Sequence, residues 1–152
     1  MRLLTLSIAA VLTVALLTGC VEGRSRVAPN RDRSLRLKDK VFAADAKARA
    51  YPATAPHAGI APMRAEVDYS LKLINLVNLG NTPWDNAELW VNGQYVCYLP
   101  HIETKVEKTL NFQIFFDATG ASFPTSYNIA QVQKVELFHD GSLYTIPLHL
   151  AE

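Results

Sequence analysis

The sequence predicts an all-β fold for residues 64–152, and three observations lead to that prediction. This stretch of about 89 residues holds six candidate strands, marked by alternating apolar and polar residues or by β-branched and aromatic residues. Short turn sequences separate the strands, and Asn92-Gly93 and Asp140-Gly141 are hairpin signals. No segment after residue 64 has helical periodicity. Together they favour a small antiparallel, Ig-like β-sandwich, with an open β-barrel as the alternative.

The first predicted strands lie on either side of a stretch rich in turn residues. Apolar and polar residues alternate from Val67 to Val77, which predicts one long strand with a buried face. Residues 78–86 carry Asn, Gly and Pro and are typical of a turn. A short strand from Ala87 to Val91 and a return strand from Gln94 to Leu99 then form the first hairpin.

The second half of the stretch supplies the remaining strands. Apolar residues at every second position predict a strand from Val106 to Phe116, and residues 117–120 read as a turn. Residues 121–130 contain a proline and are predicted to cross irregularly. The last two strands, 132–139 and 142–150, form the second hairpin, and Pro147 favours an edge position because proline cannot donate to a ladder.

The turn lengths also predict which side chains share a face. A two-residue turn at Asn92-Gly93 pairs Trp90 with Tyr95 and assigns the faces of the hairpin. The core face would carry Ala87, Leu89, Val91, Val96 and Tyr98. The outer face would carry Glu88, Trp90, Tyr95 and Cys97.

The same count at Asp140-Gly141 pairs Phe138 with Leu143 on the outer face. The core face would then carry Val135, Leu137, Tyr144, Ile146 and Leu148. Both hairpins thus place an apolar pair near their tips on the outer face. We therefore define a candidate binding face for a sugar ring or a protein partner, consisting of Trp90, Tyr95, Trp84, Phe138 and Leu143. The alternatives are pairs that only stabilise the sheet, or a cover by the loop around Trp84 or Phe123.

Residues 20–63 are predicted to form a basic linker ahead of the sandwich. Prolines and glycines interrupt this stretch, and apolar residues are sparse. Within it, residues 34–49 contain many helix formers and a possible N-cap at Ser34, but only a partial apolar stripe. The tail is therefore expected to be either a disordered spacer, the interpretation we favour, or a partly helical segment that could lie on anionic lipid.

Charge divides the chain into a basic and an acidic part. Residues 21–63 carry nine Lys or Arg and four Asp or Glu, a net charge of +5. Residues 64–152 carry five Lys or Arg and ten Asp or Glu, a net charge of −5. This asymmetry is typical of a surface-binding arm on an acidic domain, and we expect no nucleic-acid partner.

The N-terminus has the pattern of a secretory signal. Arg2 precedes an apolar run from Leu3 to Leu16, and small residues follow it. The stretch Leu17-Thr18-Gly19-Cys20 resembles the lipobox of bacterial lipoproteins. The resemblance implies that residues 1–19 are removed and that Cys20 carries two or three acyl chains, enough for a lasting membrane tether. The alternative is an ordinary secretory signal with an incidental cysteine.

Catalytic and metal-binding motifs are missing from the sequence. The four histidines have no zinc spacing, and no phosphate loop, nucleophile elbow or metalloprotease signature is present. Glu103 and Glu107 are predicted to be solvated charges. If Cys20 is acylated, Cys97 has no intramolecular disulfide partner, and we expect it to be a small buried strand residue. We therefore expect no cofactor, no metal and no catalytic residue.

The C-terminal domain is also weakly similar to small β-sandwich modules of bacterial envelope lipoproteins. The similarity rests on Leu73 to Asn78, the Trp84 turn and the hairpin from Leu89 to Gly93. It implies a lipid-tethered, non-catalytic envelope protein that presents its sandwich to a protein partner or takes part in envelope assembly. The residue after the cysteine is Val21 and not Asp, which is compatible with sorting to the outer membrane if the source has two membranes. A carbohydrate or peptidoglycan binder and an enzyme with an unrecognised site remain alternatives.

Overall fold

A computed structural model describes residues 33–125 and 131–151 of this chain. The predicted signal peptide, Cys20 and Val21 lie outside the described residues, as does part of the predicted irregular crossing. The described residues belong to one compact unit, which includes α1 (Arg33–Lys47) as well as the strands.

Two sheets carry the strands of the described residues. The five-stranded sheet has the order β1-β8-β7-β4-β5, and the four-stranded sheet has the order β6-β3-β2-β9. The strands are β1 (His57–Ile60), β2 (Met63–Asp68), β3 (Leu73–Asn78), β4 (Trp84–Val91), β5 (Tyr95–Ile102), β6 (Glu107–Asn111), β7 (Val135–His139), β8 (Ser142–Ile146) and β9 (Leu148–Leu150). A 3₁₀ turn, Phe112–Ile114, follows β6. The edge strands β1 and β9 pair in parallel with β8 and β2, so both sheets are mixed.

The core lies between the two sheets, as expected from the alternation. It is built from side chains that are almost fully buried, among them Ile74, Leu76, Leu89, Phe115 and Leu137. Successive strand residues point to opposite faces, so each strand gives every second side chain to this layer. The prediction of an all-β sandwich is confirmed, and the described strands do not close into a barrel.

The predicted long strand from Val67 to Val77 is instead a hairpin of β2 and β3. The Asp68 carboxylate accepts hydrogen bonds from the Leu71 amide at 2.8 Å and from the Ser70 hydroxyl at 2.6 Å. Lys72 adopts a left-handed conformation, with φ at 61°. A side-chain oxygen stabilises this turn. The apolar residues keep alternating through the turn, so the sequence pattern does not reveal that the chain reverses there.

The predicted register of the first hairpin is wrong by one residue. Val91 pairs with Tyr95 and Trp90 with Val96, so three residues form the turn instead of two. As a result Tyr95, Cys97 and Leu99 face the inter-sheet core, while Val96 faces outward beside Trp90. Both faces of β5 are largely apolar here, so alternation could not distinguish the two registers.

The second hairpin has the predicted register. His139 pairs with Ser142 and Phe138 with Leu143, around Asp140 and Gly141 with positive φ. Pro147 lies between β8, which β1 flanks, and β9, the edge strand of the four-stranded sheet. It marks the point where the chain crosses from β8 to β9 in the other sheet, and its carbonyl accepts a hydrogen bond from the Ala65 amide at 3.0 Å.

Residues up to Lys47 of the segment 34–49 are helical, as part of α1 (Arg33–Lys47), so the expectation of a disordered spacer is wrong for this part of the tail. The helix packs on the five-stranded sheet through Phe42, Ala43 and Ala46. These residues lie at helical spacings of one, three and four, and their partners on the sheet are distant in sequence. Contacts with the sheet therefore stabilise this helix, although its apolar stripe is too weak to predict a helix by itself.

Candidate functional site

The outer face of the five-stranded sheet holds a second apolar cluster beneath α1. Trp90, Val96 and Phe116 come from the sheet and the segment that follows β6, and Ala46 comes from the helix. Only 2% of Trp90 is exposed. The Tyr51 ring meets the Trp90 ring edge-on, with centroids 5.4 Å apart. We name this set of residues, together with Phe42, Ala43 and Phe138, the helix-covered cluster.

Charged side chains bind the end of α1 to the sheet beside this cluster. The Arg49 guanidinium donates two hydrogen bonds of 2.8 Å to Asp45 and one to Glu88 on β4. It also lies 4.4 Å from the centre of the Tyr98 ring. Glu88 accepts a further hydrogen bond from the Trp90 indole nitrogen at 3.1 Å. The hydrogen bonds to Asp45 and Glu88 raise the pKa of Arg49 above its ordinary value despite the cost of its desolvation.

A buried carboxylate holds the segment that follows the helix. The Glu136 side chain is 3% exposed, and it accepts a hydrogen bond of 2.7 Å from the Tyr51 hydroxyl. The Lys134 ammonium lies 3.0 Å from the same carboxylate oxygen. Desolvation, followed by the hydrogen bond to Glu136, raises the pKa of Tyr51. Glu88 and Glu136 thus fix this segment at two points of the sheet.

The structure separates the residues of the candidate binding face. Trp90 and Phe138 belong to the helix-covered cluster, and Leu143 is fully buried on β8. Tyr95 points into the inter-sheet core, where its ring meets Phe123 at 5.0 Å. Trp84 is half-buried at one end of the sandwich. The predicted Trp90–Tyr95 pair therefore does not form.

Trp84 belongs to an aromatic group with residues of the second hairpin. Its ring lies 4.9 Å from the Tyr144 ring and 4.8 Å from the His139 ring. The Nδ1 atom of His139 is buried and has no hydrogen-bond partner among the described residues. His139 Nε2 lies 3.2 Å from an Asp140 carboxylate oxygen. These contacts support the end of the inter-sheet core.

A rigid loop at the same end of β4 displays apolar side chains. Asn78 is fully buried, and its side chain donates to the Thr82 carbonyl at 2.8 Å and accepts from the Gly80 amide at 2.9 Å. The Leu79 amide donates to the Pro62 carbonyl at 2.7 Å, and the Lys105 side chain donates to the Leu79 carbonyl. Leu79 itself is 49% exposed.

These backbone contacts bring three chain segments together around Leu79. Val106 follows Lys105, whose amide donates to the Asn78 carbonyl at 2.8 Å, and Val106 is 54% exposed. Ile60 lies two residues before Pro62 and is 73% exposed. We call Ile60, Pro62, Leu79 and Val106 the Leu79 surface. Sequence reasoning missed it, since only the spacing of Asn78 and Gly80 hints at an ordered turn.

An exposed histidine bridges two carboxylates near this surface. His101 Nδ1 lies 2.5 Å from Asp85, and Nε2 lies 3.1 Å from Glu103. The hydrogen bonds to Asp85 and Glu103 raise the pKa of His101. No group of three or more His, Cys, Asp or Glu residues in the described ranges could hold a metal ion. Glu107 lies on β6 and is exposed.

Cys97 provides a test of the corrected register. It points into the core with 2% exposure, and burial raises the pKa of its thiol to about 12. A thiol reacts through its thiolate, so Cys97 should resist alkylation by iodoacetamide at pH 8 in the folded protein and react after denaturation. Mass spectrometry of the Cys97 peptide measures this, with free glutathione in the same tube as a reactive control. Rapid alkylation in the folded state would place Cys97 on an exposed face.

Comparisons with known proteins give no match for this chain. No protein-family model, no curated protein and no solved structure is significantly similar to it. Among the described residues, no helix has the length and apolar character needed to cross a membrane.

Proposed function

We propose that this chain is a lipid-anchored, non-catalytic protein of the bacterial cell envelope that presents its sandwich to a protein partner. The anchor rests on the lipobox-like stretch that ends at Cys20. If the source has two membranes, the expected site is the periplasmic face of the outer membrane. The acyl chains of Cys20 would then hold the protein to the lipid bilayer.

The kind of exposed apolar residue supports a protein partner over a glycan. Within the described ranges, the exposed large apolar side chains are all aliphatic: Val41, Ile60, Leu71, Leu79, Val106 and Leu150. A sugar ring is usually held against an accessible aromatic ring, but Trp90 is covered and Trp84 is half-buried. The Leu79 surface is the observation that carries the proposal, because it combines exposed aliphatic residues with a fixed backbone.

The experiment is site-specific photocrosslinking in intact envelopes, with a photoreactive amino acid in place of exposed Asn81. We expect a discrete crosslinked protein that disappears in the Leu79→Ser/Val106→Ser variant. The matched control is Leu71→Ser/Leu150→Ser, which removes two aliphatic side chains that are more exposed than Leu79 and Val106 and should keep the crosslink. A crosslink that survives both double variants, or one that depends only on an intact glycan wall, would contradict the proposal.

A further inference from the structure

A cleft of about 510 Å³ opens at the end of α1, beside the helix-covered cluster. Its walls are the chain from Ala46 to Tyr51, the tip of the first hairpin at Gly93 and Gln94, and the turn at residues 117–119. Trp90 and Val96 also line it. Because β4 begins at Trp84 and ends at Val91, the cleft and the Leu79 surface lie at opposite ends of that strand. The volume is within the range of small-molecule sites, about 300–1,000 Å³.

The Lys47 side chain lines one side of the cleft. Lys47 forms no ion pair or hydrogen bond with any residue of the described ranges. Its aliphatic chain lies across Gly120, where the Cβ atom of any larger residue would be only 2.5 Å from the lysine Cε. Gly120 has φ at 86°, a conformation that favours glycine. The turn therefore leaves room for the lysine to extend along the cleft wall.

The Asp117 carboxylate lines the same cleft and forms no ion pair with a cation of the described residues. Asp117 Oδ1 accepts hydrogen bonds from the Thr119 hydroxyl at 2.7 Å and from the Thr119 and Ala121 amides at 2.9 Å. The Thr119 hydroxyl and these amides keep the pKa of Asp117 below its ordinary value, so the group is ionised at neutral pH. The second oxygen, Oδ2, has no hydrogen-bond partner among the described residues.

We infer that this cleft binds a small zwitterion of the α-amino acid type. The Lys47 ammonium would donate to the ligand carboxylate, and Asp117 Oδ2 would accept from the ligand ammonium group. The Gln94 side chain, which has no partner among the described residues, offers a donor and an acceptor at the rim. Tyr51 also lines the cleft, and an aromatic face favours a nearby ammonium group. The opposite charges of Lys47 and Asp117 distinguish a zwitterion from a simple anion or cation.

The test is isothermal titration of the full-length lipidated protein in detergent micelles with L-alanine as the probe. Alaninamide lacks the carboxylate and N-acetylalanine lacks the ammonium group, so each should bind at least about tenfold more weakly than L-alanine. N-acetylglucosamine, a neutral sugar, should not bind. Equal binding of alanine and its two blocked forms, binding of the sugar alone, or no binding of alanine would overturn the inference.

Variants separate the cleft from the rest of the molecule. Lys47→Gln and Asp117→Asn should each weaken L-alanine binding about tenfold or more, and Lys47→Gln leaves the Asp117 turn intact if Asp117→Asn disturbs folding. Lys40→Gln on α1 and Asp140→Asn at the second hairpin are the matched controls and should bind as the unmodified chain does. The Leu79→Ser/Val106→Ser variant should also bind alanine normally, so failure here is distinguishable from failure of the proposed function.

Discussion

Replacing Trp90 with alanine should lower the free energy of unfolding by about 3–5 kcal/mol. Trp90 is the largest buried side chain between α1 and the sheet, and it contacts Tyr51 and donates to Glu88. Removal of the indole leaves a cavity, an unpaired acceptor and a helix without its main contact. Guanidinium denaturation followed by circular dichroism measures the effect. In the Trp90→Ala variant, the backbone amides of α1 should exchange their hydrogens faster than those of β7.

Trp90→Phe is the matched control, because it keeps an aromatic ring while it loses the hydrogen bond to Glu88. We expect it to cost about 1–2 kcal/mol. A change below about 1 kcal/mol for Trp90→Ala would contradict the burial of this residue under the helix. The result also matters for binding studies, since a loss of binding in Trp90→Ala would report damage to the fold and not a lost contact with a partner.

Replacing Arg49 with alanine should cost about 2–3 kcal/mol. The guanidinium serves both Asp45 and Glu88, and the Glu88 side chain is only 16% exposed. Without Arg49, this carboxylate keeps the Trp90 indole as a donor but has no cation beside it, and hydrogen bonds to charged groups contribute about 1.5–3 kcal/mol each. The same denaturation experiment measures the loss.

Arg49→Lys tests whether geometry as well as charge is required. Lysine keeps the positive charge but cannot donate to Asp45 and Glu88 with a planar fork, so we expect an intermediate loss of stability. Arg64→Ala removes an exposed arginine on β2 and should change stability by less than about 0.5 kcal/mol. If Arg49→Ala and Arg64→Ala have equal effects, the ion pairs at the end of α1 do not hold the helix.

The sandwich could be predicted because period-two alternation reports directly on a half-buried sheet. The Asp140-Gly141 turn also gave the correct register, since an alternative pairing would expose Leu137 and bury Glu136 in the apolar layer. At Asn92-Gly93 the same type of turn sequence did not suffice. There the Asn92 side chain bonds to the backbone of Gln131, Gln133 and Lys134, so contacts with a distant segment help to fix the turn.

The candidate site depended on that register and on a helix that the sequence does not specify locally. Once Val96 takes the position beside Trp90, Tyr95 moves to the core and the predicted aromatic pair is lost. Glu136 illustrates the same limit. Its partners are Tyr51, from the segment after α1, and Lys134, which precedes β7. The Leu79 surface and the cleft both depend on contacts between segments far apart in sequence.

Fatty-acid labelling of the full-length chain in a bacterial host tests the central claim, a lipid-anchored envelope protein, most directly. We expect the chain to incorporate a clickable palmitate analogue and to stay with the membrane fraction after an alkaline wash. Cys97→Ser, which alters the buried thiol, should label as the unmodified chain does, while Cys20→Ser should lose the label. Absence of label in the unmodified chain, or persistence of label in Cys20→Ser, would contradict the lipid anchor.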